Sequence, residues 1–197
     1  MDPMAQYQYN NVQDESFFEK FRSHIIDFIQ TLVVFGAIFA LIYLFVAQPH
    51  KVSGRSMDPT FKDGDYIFTD KVTYRLREPA KGDIIVLKNP RDESQDFIKR
   101  IMAVPGDTIK IETSSVFVNG QKLNEPYLPS GRPTPAGSFL LEGVEVKAGP
   151  NQYFVIGDNR EHSSDSREWG AITKQEIIGK VFFRYFPLQG FGLTTSL

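Results

Sequence analysis

Apolar and polar positions divide the chain into one uninterrupted apolar run and a long stretch of short alternations. Between Phe28 and Pro49 there is no Asp, Glu, Lys, Arg or His. The core of that run, Phe28–Ala47, is 20 residues long. A helix of about 20 apolar residues matches the roughly 30 Å thickness of bilayer hydrocarbon. A buried core helix keeps a polar stripe, and here only Gln30 and Thr31 interrupt, near the start. A cleavable leader has a shorter apolar region, about 7–15 residues, that ends in a small-x-small site. Ending this run at Ala47 puts the bulky Phe45 at −3. The pattern therefore predicts an uncleaved transmembrane anchor over 28–47. A short polar tail, 1–27, precedes it, with a helical turn around Phe17–Ile26 running into the membrane.

Beyond the anchor the period shortens. Tyr66–Asp70, Ile84–Lys88, Phe97–Val104, Thr108–Glu112, Val116–Val118, Gln152–Ile156 and Lys180–Phe186 read as strands, separated by turn residues such as Lys81-Gly82-Asp83, Pro105-Gly106-Asp107 and Gly157-Asp158-Asn159. Asn119-Gly120 after Val116-Phe117-Val118 is the strongest hairpin signal, because a type I′ turn needs φ > 0 at both central positions. Lys174–Ile178 reads as one helical turn. Residues 125–150 are rich in Pro and Gly and read as a long excursion. Residues 48–197 are thus predicted to form a mainly β domain, antiparallel, barrel-like and two-sheeted.

Composition narrows the chemistry. The net charge of −2 gives no reason to expect nucleic acid as a partner. Cysteine is absent, which excludes a disulfide framework, a cysteine-ligated zinc site and a cysteine nucleophile. No metal or cofactor is expected. Lys20 and Arg22 precede the anchor while Lys51, Arg55 and Lys62 follow it, so flanking charge does not fix orientation.

Three segments stand out as candidate chemistry: Ser53-Gly54-Arg55-Ser56-Met57-Asp58-Pro59-Thr60, Asp96-Phe97-Ile98-Lys99-Arg100-Ile101, and Gly157-Asp158-Asn159-Arg160-Glu161-His162-Ser163-Ser164-Asp165-Ser166-Arg167. A serine hydroxyl needs an adjacent base. Of the histidines, His24 precedes the anchor, across the bilayer from the domain, and His50 sits near the interface. His162, flanked by Ser163 and Asp165, is the conventional candidate inside the domain. Lysine is the other option, provided burial lowers its pKa from about 10.4. In a strand, Lys99 shares a face with the apolar Phe97 and Ile101. Pattern alone also fits an exposed lysine on a half-buried strand.

Together, in this order and behind an N-terminal membrane helix, the three segments resemble the boxes of type I signal peptidases, the bacterial leader peptidases. The resemblance covers about Pro49 to Phe186 and leaves the excursion at 126–150 unmatched. It implies Ser56 as nucleophile and Lys99 as general base, with Ser163 supporting the lysine amine. Asp165 and Arg167 would be a structural pair near the site, joined by Asp158 and Arg160 in the same box. The Ser56 N–H would supply part of the oxyanion hole. Some members place a serine hydroxyl two residues before the nucleophile; here that position is Gly54, which leaves the second donor open. The resemblance also implies the substrate: preproteins with signal peptides, cut after small-x-small sites. The −1 and −3 pockets would map to Val52, Met57, Phe61, Asp96, Phe97 and Ile98. A substrate strand along Pro49–Val52 and Asp96–Ile98 would bind by β-strand addition. A single helix and a compact domain look closest to Gram-positive, cyanobacterial or plastid forms, with the domain on the extracytoplasmic side of a plasma or thylakoid membrane. Two other readings are a self-processing Ser/Lys peptidase and a non-catalytic, membrane-tethered β domain that binds extended peptides.

Overall fold

The computed structural model describes residues 3–194, with side chains described from residue 19 onward. Two units are described separately: 1–44, and 45–197 within those limits. The first is the helix α1, whose 43 residues run over Pro3–Phe45. It is far longer than the helical turn expected around Phe17–Ile26. The chemistry is simple: Pro3 stands at a helix start, where its missing N–H costs nothing, and no proline or glycine follows until Gly36. The stretch Glu19–Phe45 is long and apolar enough to cross a membrane.

The second unit begins with β1 (Ala47–Lys51), which sequence periodicity missed because Gln48, Pro49 and His50 give no apolar alternation. It continues with β2 (Tyr66–Asp70), a turn of helix α2 (Thr73–Leu76), β3 (Ile84–Asn89), β4 (Asp92–Ala103), β5 (Thr108–Glu112), β6 (Ser115–Val118) and β7 (Gln121–Lys122). Near the end of the excursion comes β8 (Val146–Lys147), and after it β9 (Gln152–Ile156), a turn of helix α3 (Ser166–Trp169), β10 (Ile172–Thr173), β11 (Ile177–Phe186) and β12 (Gly192–Leu193). The helical turn expected at Lys174–Ile178 is a 3-10 turn over Lys174–Glu176, closed by a capping box between Thr173 and Glu176.

The strands form two antiparallel sheets. The larger runs β1-β2-β11-β3-β4-β9-β10, with β12 on β11, and the smaller runs β7-β6-β5-β8. The large sheet ends in β1 and β10 and stays open, so the barrel does not close as the sequence suggested. Its ends explain why: β10 is two residues long, and β1 carries Pro49, which cannot donate to a ladder and is confined to edges. The hairpin at Asn119-Gly120 forms as expected, with φ of 52° and 74° and Val118 paired with Gln121.

Alternation decides what is buried. Ile109 and Ile111 of β5 and Val116 and Val118 of β6 point inward, against Met102, Ala103, Leu140, Phe154 and Ile156. A second cluster joins Val52, Met57, Phe61, Ile67, Ile84, Val86 and Val181, with Ile98 packed against it. It lies under the segment that carries Ser56. A third cluster gathers Ile85, Leu87, Ile101, Tyr153, Val155 and Ile172, with Phe97 against it. Lys99 is paired on one side with Ile85 of β3, one residue before β9 begins to pair along the other side of β4 at Arg100.

Candidate active site

Ser56 and Lys99 are 43 residues apart in sequence, yet Lys99 Nζ lies 3.0 Å from Ser56 Oγ. Strand β4 holds the lysine: Lys99 pairs with Ile85 and its neighbour Arg100 pairs with Ile84 and Ile156. Only 2% of Lys99 is exposed. The Phe97 ring lies 4.7 Å from Nζ, so the shared face read from the strand pattern does cover the amine. Nζ also donates to the Ile98 carbonyl at 2.9 Å. Burial brings the Lys99 pKa down to about 8; the Asp165 charge raises it, Arg167 lowers it and Asp158 raises it, each by less than burial does. A neutral amine keeps a lone pair for the Ser56 proton.

The loop before Ser56 is fixed on both sides. The Val52 N–H donates to the Asp65 carbonyl at 2.8 Å and the Gly64 N–H to the Val52 carbonyl at 2.9 Å. The Gly54 N–H donates to Asp63 Oδ1 at 2.8 Å, so that N–H is committed and is no second oxyanion donor. Gly54 has φ of 92°, and a Cβ there would meet open space. Its need is conformational, since this region is strained for any residue with a side chain. No acceptor among the described residues takes the Ser56 N–H.

The Gly157–Arg167 segment closes the site from the other side. The Asn159 N–H donates to the Ser56 carbonyl at 2.9 Å, and Asn159 Nδ2 donates to the Arg55 carbonyl at 2.9 Å. Gly157 packs so tightly that a Cβ would strike Ser163 Oγ and the Ser56 carbonyl oxygen. Ser163 Oγ is buried and has no hydrogen-bond partner among the described residues; the Lys99 amine is bonded to Ser56 and Ile98. His162 is exposed on the rim of the cleft, where its side chain makes no hydrogen bond to Ser56.

Behind this surface lies a network of buried ion pairs. Arg100 grips Asp158 through two bonds of 2.9 and 2.7 Å, and Thr60 Oγ1 donates to the same carboxylate at 2.5 Å. Arg167 grips Asp165 through Nε and Nη2, each at 2.8 Å. Asp165 also accepts from the Gly157 N–H at 3.0 Å. Arg160 bonds Glu125, Tyr127 and Thr134. With the Arg167 bond to the Pro135 carbonyl at 3.1 Å, these contacts pin the first part of the excursion to the box.

A cleft of about 250 Å³ runs past the dyad, lined among others by His50, Val52, Ser56, Asp96, Phe97, Ile98 and Lys99. Of the expected pocket residues, Val52, Asp96, Phe97 and Ile98 reach it. Met57 and Phe61 are fully buried in the core beneath. Sequence reading missed His50 as a lining residue, Arg100 as a buried pair, and Asn159. Asn159 carries no signal of its own in the sequence beyond the Gly157-Asp158-Asn159 turn.

Comparison with known proteins gives one consistent picture. The family model described as Signal peptidase, peptidase S26, matches residues 25–186. Signal peptidase IB of Staphylococcus aureus (strain COL) is 34% identical over 181 residues, covering 86% of this chain and 94% of that protein. The probable signal peptidase I-2 of Synechocystis sp. is 37% identical over 161 residues, covering 79% and 70%. A crystal structure of a signal peptidase I from Enterococcus faecalis V583 is 26% identical with a TM-score of 0.45, covering 53% of this chain and 97% of that one.

Proposed function

The chain belongs to the signal peptidase family, peptidase S26, and from that premise we propose that it cuts preproteins with a Ser56–Lys99 dyad. As a member it is a serine endopeptidase that removes signal peptides from preproteins, and the apolar stretch of α1 anchors it in a membrane. One observation carries the dyad: a buried amine 3.0 Å from the Ser56 hydroxyl. Neutral Lys99 takes the proton from Ser56 Oγ as that oxygen bonds to the carbonyl carbon before the scissile bond. The oxyanion forms against the Ser56 N–H. The resulting ammonium hands its proton to the departing amine as the C–N bond breaks, leaving an ester on Ser56. Lys99 then deprotonates a water that attacks the ester, and Ser56 Oγ leaves with the proton.

The substrate lies extended along Pro49–Val52 and Asp96–Ile98, adding a strand at the edge. Strand alternation points its −1 and −3 side chains to the same side, toward the shallow apolar surface of Val52, Phe97 and Ile98, which admits small residues. The domain lies on the extracytoplasmic side, where exported chains emerge. Asp165 with Arg167, and Asp158 with Arg100, hold the frame. Ser163 sits ready to bond the amine when it moves during turnover.

Two measurements test this. Rapid quenching of a preprotein reaction followed by peptide mass mapping will find the acyl group on Ser56; an acyl group on another serine sinks the nucleophile. The rate will also follow the neutral fraction of Lys99. It will rise about tenfold per pH unit up to about 8 and level off above. A rate that stays flat from mildly acid to alkaline pH rules out this base.

A further inference from the structure

We infer that Asn159 is a positioning residue that aims the Ser56 N–H at the oxyanion, an assignment that rests on Ser56 being the nucleophile. The peptide unit between Arg55 and Ser56 is planar and trans, so its C=O and its N–H point in opposite directions. Asn159 Nδ2 donates to that C=O at 2.9 Å. It therefore sets the direction of the N–H on the far side of the same plane. The Asn159 backbone N–H holds the next carbonyl, that of Ser56, also at 2.9 Å. Both peptide planes that meet at the Ser56 Cα are thus held by one residue, which sets the direction of the Cα–Cβ bond from which Oγ reaches the Lys99 amine. Donation to the Arg55 carbonyl also polarises the Ser56 N–H, because hydrogen bonds in a chain strengthen one another.

Two further observations support a directed role. Asn159 is 3% exposed, and its Oδ1 is buried without a hydrogen-bond partner among the described residues, a penalty that a side chain present only for packing would avoid. The local turn alone holds the Arg55 carbonyl less closely, since the Asp58 N–H reaches it at 3.1 Å.

The test uses the full-length protein in detergent with a preprotein peptide, comparing Asn159→Ala and Asn159→Asp with the unaltered chain. Rates are expressed per Ser56 that can be acylated, so an unfolded fraction does not count. Asn159→Ala keeps the backbone bond to Ser56, and Asn159→Asp keeps the shape but sets an acceptor against the Arg55 carbonyl. We expect kcat to fall roughly 10-fold for Ala and roughly 100-fold for Asp, near the loss of one oxyanion donor. KM will change less than about twofold, and the pH inflection set by Lys99 will stay in place. Affinity for a peptide aldehyde, whose Ser56 adduct carries an oxyanion, will fall in step with kcat/KM. Unchanged kcat, a change in KM alone, or an aldehyde affinity that holds while kcat falls would overturn the assignment while leaving the dyad intact. Absence of an acyl group on Ser56 in the unaltered chain would remove the nucleophile, and Asn159's role with it.

Discussion

Lys99→Ala will slow preprotein cleavage by at least roughly 10⁴-fold, because general-base catalysis contributes about 10²–10⁴-fold and members of one catalytic unit fail together. Ser56→Ala will do the same and will also leave no acyl-enzyme to trap. Neither change removes a fold-bearing contact of a charged group, since the amine is neutral when it works. The stability of the protein carries an independent sign of that neutrality. Burial depresses the Lys99 pKa from 10.5 to about 8. Between those values the unfolded chain binds a proton that the native chain does not, so native stability rises with pH across that window. Its full contribution is present above 10.5 and is lost as pH falls to about 8. The total is about 3 kcal/mol at 1.36 kcal/mol per unit. Denaturation of Lys99→Met at several pH values isolates this effect: the variant will be inactive, and the climb seen in the unaltered chain will be missing. A climb of equal size in Lys99→Met would mean that Lys99 is not the group responsible.

Asp165→Ala will destabilise the protein by about 3–5 kcal/mol, the usual cost of leaving one partner of a buried ion pair uncompensated. Asp165 is fully buried and Arg167 is 4% exposed, so solvent cannot rescue the guanidinium. The same carboxylate caps α3 through the Arg167 N–H and holds the Gly157 N–H, which adds to the loss. Where the variant is folded, its pH–rate profile will shift as well. Asp165 raises the Lys99 pKa and Arg167 lowers it. With the carboxylate gone its raising effect is lost while the lowering by Arg167 remains, so the inflection will move to more acid pH. Equilibrium unfolding together with the pH profile checks both; an inflection that moves to higher pH would contradict this arrangement of charges.

The apolar stretch of α1 was legible because it is a local signal, and so were the segments of Ser56 and Lys99, which the fold brings to 3.0 Å of each other. A run without charge, and a serine and a lysine in short distinctive contexts, need no knowledge of the fold. Strands β2, β3, β5, β6 and β9 were legible because their apolar residues alternate or cluster between turns. Strand β1 was not, since after Ala47 its residues are polar or imino and it is extended because β2 pairs with it. The first four residues of β4 are exposed and charged or polar, so its length is set by pairing, not by burial of its own side chains. The buried arginines were hidden for another reason. Arg100 is apolar in effect only because Asp158, 58 residues away, neutralises it. A sequence window shows the charge and not the partner. The resemblance maps Met57 and Phe61 to the pockets, and the structure buries both side chains in the core beneath the cleft, a burial that alternation does not reveal because they lie in a turn segment. The first part of the excursion gave no pattern because Arg160 and Arg167, from a distant segment, hold it at Tyr127, Thr134 and Pro135.

The open end of the large sheet has a consequence for a protein that must receive one chain and refuse others. An unsatisfied strand border is a template for any extended peptide, including a second copy of itself. On β1 that border is interrupted by an imino acid and finished by an exposed lysine, devices that discourage long, flat cross-chain ladders. Such a border disfavours a long guest strand and suits one only a few residues long. The feature that keeps the sheet from sealing thus also guards the enzyme against fibrillar self-assembly.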